Sequence, residues 1–121
     1  MSTDFVFSRL LDKQSEPIQL TAPVAVSELP TPALVLERSI LQRNIESMRD
    51  FLAAEGKGFR PHSKTHKCPV IAKLQMEAGA VGVCAAKLSE AVALINSGLT
   101  EILITSPIVS KPKLEILNKV L

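Results

Sequence analysis

The sequence predicts an α/β protein built on a parallel sheet, and three observations lead there. Apolar runs of strand length alternate with runs of helical period at a spacing of about twenty residues. Gly56, Gly79 and Gly98 each stand where a helical run gives way to an extended one. The later extended runs, AVGVCAA and EILITS, are largely apolar rather than alternating. Such strands suit burial on both faces, as between the helices that cover a parallel sheet.

The composition narrows the class. At 121 residues and 46% hydrophobic, the chain is sized for one domain or part of one. Lys and Arg number 14 against 12 Asp and Glu, so the net charge of +2 argues for neither a nucleic acid nor a membrane-surface partner. Trp and Tyr are absent, which removes most base-stacking platforms. Two cysteines, Cys68 and Cys84, are too few for a disulfide framework and suit a reducing compartment. No apolar run approaches the roughly 20 residues of a membrane span. The N-terminus, with its early Asp4, does not read as a signal peptide. The expected location is cytoplasmic.

Residues 1–30 show no clear period and are read as an N-terminal extension, with 31–121 as the domain. Pro17, Pro23, Pro30 and Pro32 keep much of 15–32 extended or looped. Ala33, Leu34, Val35 and Leu36 form a short run with strand character. Ser39 opens the first helix, because Ser39 and Gln42 have capping-box spacing. Leu41, Ile45, Met48 and Leu52 then make one apolar stripe. Gly56 supplies a left-handed cap.

From there a unit repeats. Strands are expected over 57–63, 80–86 and 99–106, and helices over 69–78, 87–97 and from near Ser110. Pro69 suits a first helical position, as Pro112 suits a first turn. The inner faces are Ile71, Leu74, Gln75 and Ala78, then Leu88, Ala91, Val92 and Ile95, then Leu114, Leu117 and Leu121. The count is three β/α units preceded by one extra strand and helix. Three parallel strands close poorly on themselves, and a full (β/α)8 barrel of the TIM type takes about 250 residues. The expected architecture is the first part of such a barrel, with a small doubly wound sheet as the alternative.

The densest polar segment is RPHSKTHK, Arg60 to Lys67, at the C-terminal end of the first repeat strand. In parallel α/β folds the loops that carry chemistry converge at that end. Strand alternation puts Arg60, His62 and Lys64 on one face. A neutral lysine can attack an aldehyde to form a Schiff base, and both burial and nearby cations disfavour the ammonium form. Arg60, Lys67, His62 and His66 are the expected cations around Lys64. A solvated basic loop is the competing reading.

The other polar residues have plainer explanations. His62 and His66 are spaced i, i+4, but Pro61 argues against a helix, no acidic residue lies close by, and Cys68 is the one soft ligand nearby. No metal site is therefore assigned. Cys84 sits mid-strand as a small core residue. Ser106 caps the turn before Pro107, and Glu90 suits a helix N-terminus. Gly79 and Gly82 bracket a strand start rather than join a strand to a helix, so no dinucleotide fingerprint is present.

In order, TPALVLERSILQRNI, FRPHSKTHK, AGAVGVCAAKLSEA and EILITSPIV resemble the N-terminal part of the D-threonine aldolase and D-serine dehydratase family, pyridoxal-phosphate enzymes of the alanine-racemase-like fold. The match runs from about Thr31 to Val109, and RPHSKTHK is its specific element. The resemblance implies a barrel whose first strand carries the cofactor lysine, here Lys64, with His62 as a second cofactor-binding residue. Ala33–Leu36 would pair in a β-rich domain built mostly from a C-terminal part. The implied activity is cleavage or dehydration of D-3-hydroxy amino acids, with a D-amino acid as the small-molecule substrate. A racemase, a non-catalytic pyridoxal-phosphate carrier, or an anion-binding module without covalent chemistry are the alternatives. A divalent metal is implied in the full-length family, with ligands outside this chain, as is a homodimer. The chain alone is expected to be an inactive fragment exposing apolar barrel edges.

Overall fold

The structure, a computed structural model, describes residues 22–120. The described residues fall in two compact units, 22–37 and 38–120.

In the first unit the described residues hold a single 3-10 turn, Val26–Glu28, closed by Glu28 N–H on the Ala25 carbonyl at 2.9 Å. The Glu28 carboxylate accepts from the Ala25 N–H at 3.0 Å, which satisfies a donor the short turn leaves open. The strand expected at Ala33–Leu36 is not formed, and Leu34 is fully exposed at 101%. A strand exists only where a neighbour pairs its backbone, and none does so within this unit's described residues.

The second unit begins with α1, Arg38–Ala54. Ser39 is thus inside the first turn rather than at its cap, and Gln42 Nε2 donates to Glu46 Oε1 at 2.9 Å. Ile45 is the buried residue of the stripe; Met48 is exposed. Gly56, at φ +64°, ends the helix as expected, with Lys57 N–H returning to the Leu52 carbonyl at 2.9 Å.

α2, Pro69–Glu77, is followed by strand β1, Val83–Ala85. α3, Leu88–Asn96, is followed by strand β2, Ile102–Ile104, and α4, Lys111–Val120, completes the order. β1 and β2 pair in parallel, Val83 with Ile102 and Ala85 with Ile104. The first repeat strand is shorter than expected. It joins the sheet through a parallel bridge between His62 and Cys84, supported by Val81 N–H on the Phe59 carbonyl at 2.9 Å and Cys84 N–H on the Pro61 carbonyl at 2.8 Å. Three parallel segments therefore lie in sequence order, with β1 in the middle.

The core is Ala72, Val83, Ala85, Ala91, Leu94 and Leu99, with Met76, Ile102 and Ile104 packed against it. Ala72 and Leu94 were not on the expected inner faces. Both pack in one cluster with Val83 and Ala85 of β1, and position against the sheet decides which residue of an apolar stripe is covered. α4 buries none of its described residues.

Candidate functional site

The C-terminal ends of the three parallel segments lie side by side, because His62 pairs with Cys84 and Ala85 with Ile104. Just past His62 the chain leaves the extended conformation. Ser63–Thr65 forms a 3-10 turn, so the strand alternation expected to carry Lys64 onto the face of Arg60 and His62 stops one residue early. Lys64 stands at the middle of that turn, at the rim, and is exposed.

Five hydrogen bonds hold the turn, one of them the 3-10 bond from His66 N–H to the Ser63 carbonyl at 3.2 Å. His62 Nδ1 accepts from the Lys64 N–H at 3.3 Å. Thr65 Oγ1 donates to the His62 carbonyl at 3.1 Å. Ser63, only 3% exposed, donates its hydroxyl to the Cys84 carbonyl at 2.9 Å and so ties the turn to β1. Lys67 N–H returns to the Ser63 carbonyl at 2.7 Å, with Lys67 itself in the left-handed region at φ +49°. That conformation is unfavourable for a residue with a Cβ. It redirects the chain from the turn into Cys68, the residue before α2.

The cationic surroundings expected for Lys64 are only partly there. The Arg60 guanidinium donates to the Glu101 carbonyl and passes over Gly82. Glu101 and Gly82 precede β2 and β1, so this contact lies at the N-terminal end of the strands, away from Lys64. His66 turns inward. Its Nδ1 accepts from the Cys68 N–H at 3.1 Å, and burial pushes its imidazole below the ordinary value of 6.5, with Gln75 acting against that shift. His66 Nε2 and Gln75 Oε1 are both buried without a well-aligned hydrogen bond, and each is the chemical complement of the other. The burial expected at Lys64 is found instead at His66 and Ser63, because the turn points its middle residue outward.

Thr105 is a site residue that sequence reasoning missed. Its Oγ1 lies 3.2 Å from His62 Nε2, across the end of β1. The signal was available: Thr105 directly follows the ILI run, so it ends its strand as His62 ends the first. Ser106, the next residue, is exposed beside Pro107. Cys84 is half-buried and sits mid-strand, with Sγ 3.7 Å from the Arg60 carbonyl. Glu90 accepts the Ala86 N–H at 2.9 Å, a backbone contact at the start of α3. Among the described residues no group of three His, Cys, Asp or Glu side chains gathers as a metal site would need, and no helix is long and apolar enough to cross a membrane.

No protein-family model matches the chain. It is 36% identical over 103 residues to a D-threonine aldolase of an Arthrobacter species, covering 85% of this chain and 27% of the relative. The crystal structure of D-threonine aldolase from Filomicrobium marinum superposes with a TM-score of 0.76 at 40% identity, over 84% of this chain and 28% of the other. Over these residues the chain belongs to the D-threonine aldolase family. D-threo-3-hydroxyaspartate dehydratase from Delftia sp. HT23 also matches, with a TM-score of 0.70 at 35% identity over 76% of this chain and 24% of that one. The chain spans about a quarter of the length of these aldolase and dehydratase relatives.

Proposed function

We propose that this chain is the cofactor-carrying part of a pyridoxal-phosphate-dependent lyase acting on D-3-hydroxy amino acids, with Lys64 as the residue that bonds the cofactor's aldehyde. The observation that carries the reading is an exposed amine on a turn fixed by five hydrogen bonds at the C-terminal end of parallel strands. The relatives supply the substrate class: one acts, by name, as an aldolase of D-threonine and another as a dehydratase of D-threo-3-hydroxyaspartate. The parallel segments in sequence order support a place in a (β/α)8-type barrel, whose chemistry sits on this rim.

The described residues fit the aldehyde end of the cofactor. A primary amine is accessible there, and its backbone is pinned on both sides. The bound pyridine ring would supply the electron sink that makes the bonds at the substrate's Cα labile. Within this chain, the residues around Lys64 supply the amine and its placement. Lys64 Nζ would hold the cofactor's aldehyde carbon and, as a free amine, could move a proton at the substrate's Cα. His62 and Ser63 hold the main chain at Lys64 and just before it. Holding a reacting group in one geometry removes an entropic cost from the step that follows.

Mixing the chain with pyridoxal phosphate, reducing with borohydride and mapping the peptides tests this reading. Label concentrated on Lys64, and lost from that peptide in Lys64→Ala, is the expected result. Label spread evenly over the surface lysines would overturn it in favour of mere anion binding.

A further inference from the structure

We infer that Thr105 is a positioning residue for Lys64, acting through the His62 imidazole across the end of β1; this rests on the reading of Lys64 as the cofactor lysine. The argument is one of donors and acceptors. The Lys64 N–H can only donate, so His62 Nδ1, 3.3 Å away, is the unprotonated nitrogen. The neutral ring then carries its proton on Nε2. That nitrogen lies 3.2 Å from Thr105 Oγ1 and donates to it. The hydroxyl's own proton goes to the Ala85 carbonyl at 3.3 Å.

Every donor in this chain has one acceptor, and all the bonds run in one direction: Lys64 N–H to His62, His62 to Thr105, Thr105 to Ala85. Such a series polarises itself, so that each bond strengthens the next. Its far end is firm. Ala85 has no exposed surface, and its carbonyl also accepts the Thr105 N–H at 2.9 Å. Thr105 is therefore held by both main chain and side chain, and it passes that rigidity to a ring two segments away.

The other contacts of the turn do not do this. Thr65 bonds within the turn, and Ser63 bonds to the neighbouring β1. At this rim, among the described residues, only the His62–Thr105 contact links the first parallel segment to the β2 side; the Arg60–Glu101 contact does so at the opposite end of the strands. Removing the Thr105 hydroxyl leaves Nε2 without its partner and frees the ring to rotate. The Lys64 N–H then loses a fixed acceptor, and the direction from which the amine approaches an aldehyde scatters. Serine keeps the hydroxyl and restores the series; valine keeps the shape and does not.

Amide hydrogen exchange on the intact chain, without cofactor, reads the inference directly. In Thr105→Val the Lys64 amide should exchange about fivefold faster, the size expected for one hydrogen bond of ordinary strength. The Val83 amide, bonded to the Glu101 carbonyl at 3.1 Å, should not change. Thr105→Ser should return Lys64 to its original rate, and in a His62→Ala background Thr105→Val should add nothing further. The rate of borohydride-trapped pyridoxal-phosphate labelling at Lys64 should fall in Thr105→Val and recover in Thr105→Ser. An unchanged Lys64 amide in Thr105→Val overturns the inference. So does a failure of serine to rescue, or an equal acceleration at Val83. If the original chain shows the exchange pattern but takes no label at Lys64, the cofactor reading fails, and with it the claim that the clasp positions a reacting amine.

Discussion

Among the described residues, β1 has a paired neighbour on each side, whereas β2 has one. Val83 and Ala85 of β1 are fully buried, with the segment ending at His62 along one edge, β2 along the other, and Ala72, Ala91 and Leu94 in the same core. Leu103 of β2 keeps 51% of its surface exposed. The two strands are similar in apolar content, yet the number of neighbours, rather than the strand's own composition, sets how much of each is covered. The same contrast extends to the rim. The turn after the first segment is tied to β1 by the buried Ser63 hydroxyl, whereas the end of β2 offers the exposed Thr105.

The most damaging substitution should fall beside β1. Gly82 sits at φ +145°, and a Cβ there would overlap the Arg60 guanidinium and the Glu101 carbonyl. Gly82→Ala combines backbone strain with the loss of the contact that joins the N-terminal ends of the segments, and should cost at least about 3 kcal/mol. A urea titration should show the cooperative transition lost or shifted far to low denaturant. A transition as sharp and as late as that of the original chain would mean that the ends of the strands are not locked together.

Matched truncations sharpen the contrast. Val83→Ala removes buried atoms from the middle strand and should cost about 2 kcal/mol. Leu103→Ala removes a larger side chain from the outer strand and should stay within about 0.5 kcal/mol. Equal shifts in urea midpoint would show that β2 is covered as fully as β1, for example by a second copy of the chain.

The smallest effect concerns protons. Burial holds the His66 imidazole below 6.5 in the folded chain, so between its folded value and 6.5 the unfolded chain binds the extra proton. Stability should then rise with pH through that window and be flat above it, as far as this residue is concerned. Replacing Gln75, which acts against the shift, by Leu should steepen the rise; thermal midpoints taken from acid to neutral pH check this. A His66→Asn variant that keeps the same slope would assign the slope to another group.

The sequence made several elements legible. Helix positions were readable to within about a residue at α2, α3 and α4, because Pro69, Gly98 and the apolar stripes act locally. The parallel order of strands was legible from strand and helix alternation. Lys64 was singled out from its place at the end of a strand, and it stands at that rim. That no strand forms at Ala33–Leu36 was not legible, since apolar content signals a strand but cannot supply its partner. Nor was the 3-10 turn at Ser63, which depends on a hydroxyl meeting the Cys84 carbonyl from 21 residues away.

By itself the sequence determined where helices start and stop, where the chain turns, and which segment gathers the amines and imidazoles. Those properties follow from torsional preference and side-chain spacing, which act over a few residues. Tertiary structure alone decided that Lys64 faces outward while His66 turns inward, and that His62 meets Thr105. Such facts depend on which carbonyls and hydroxyls the parallel register brings within hydrogen-bond distance, and that register joins residues some twenty to forty positions apart.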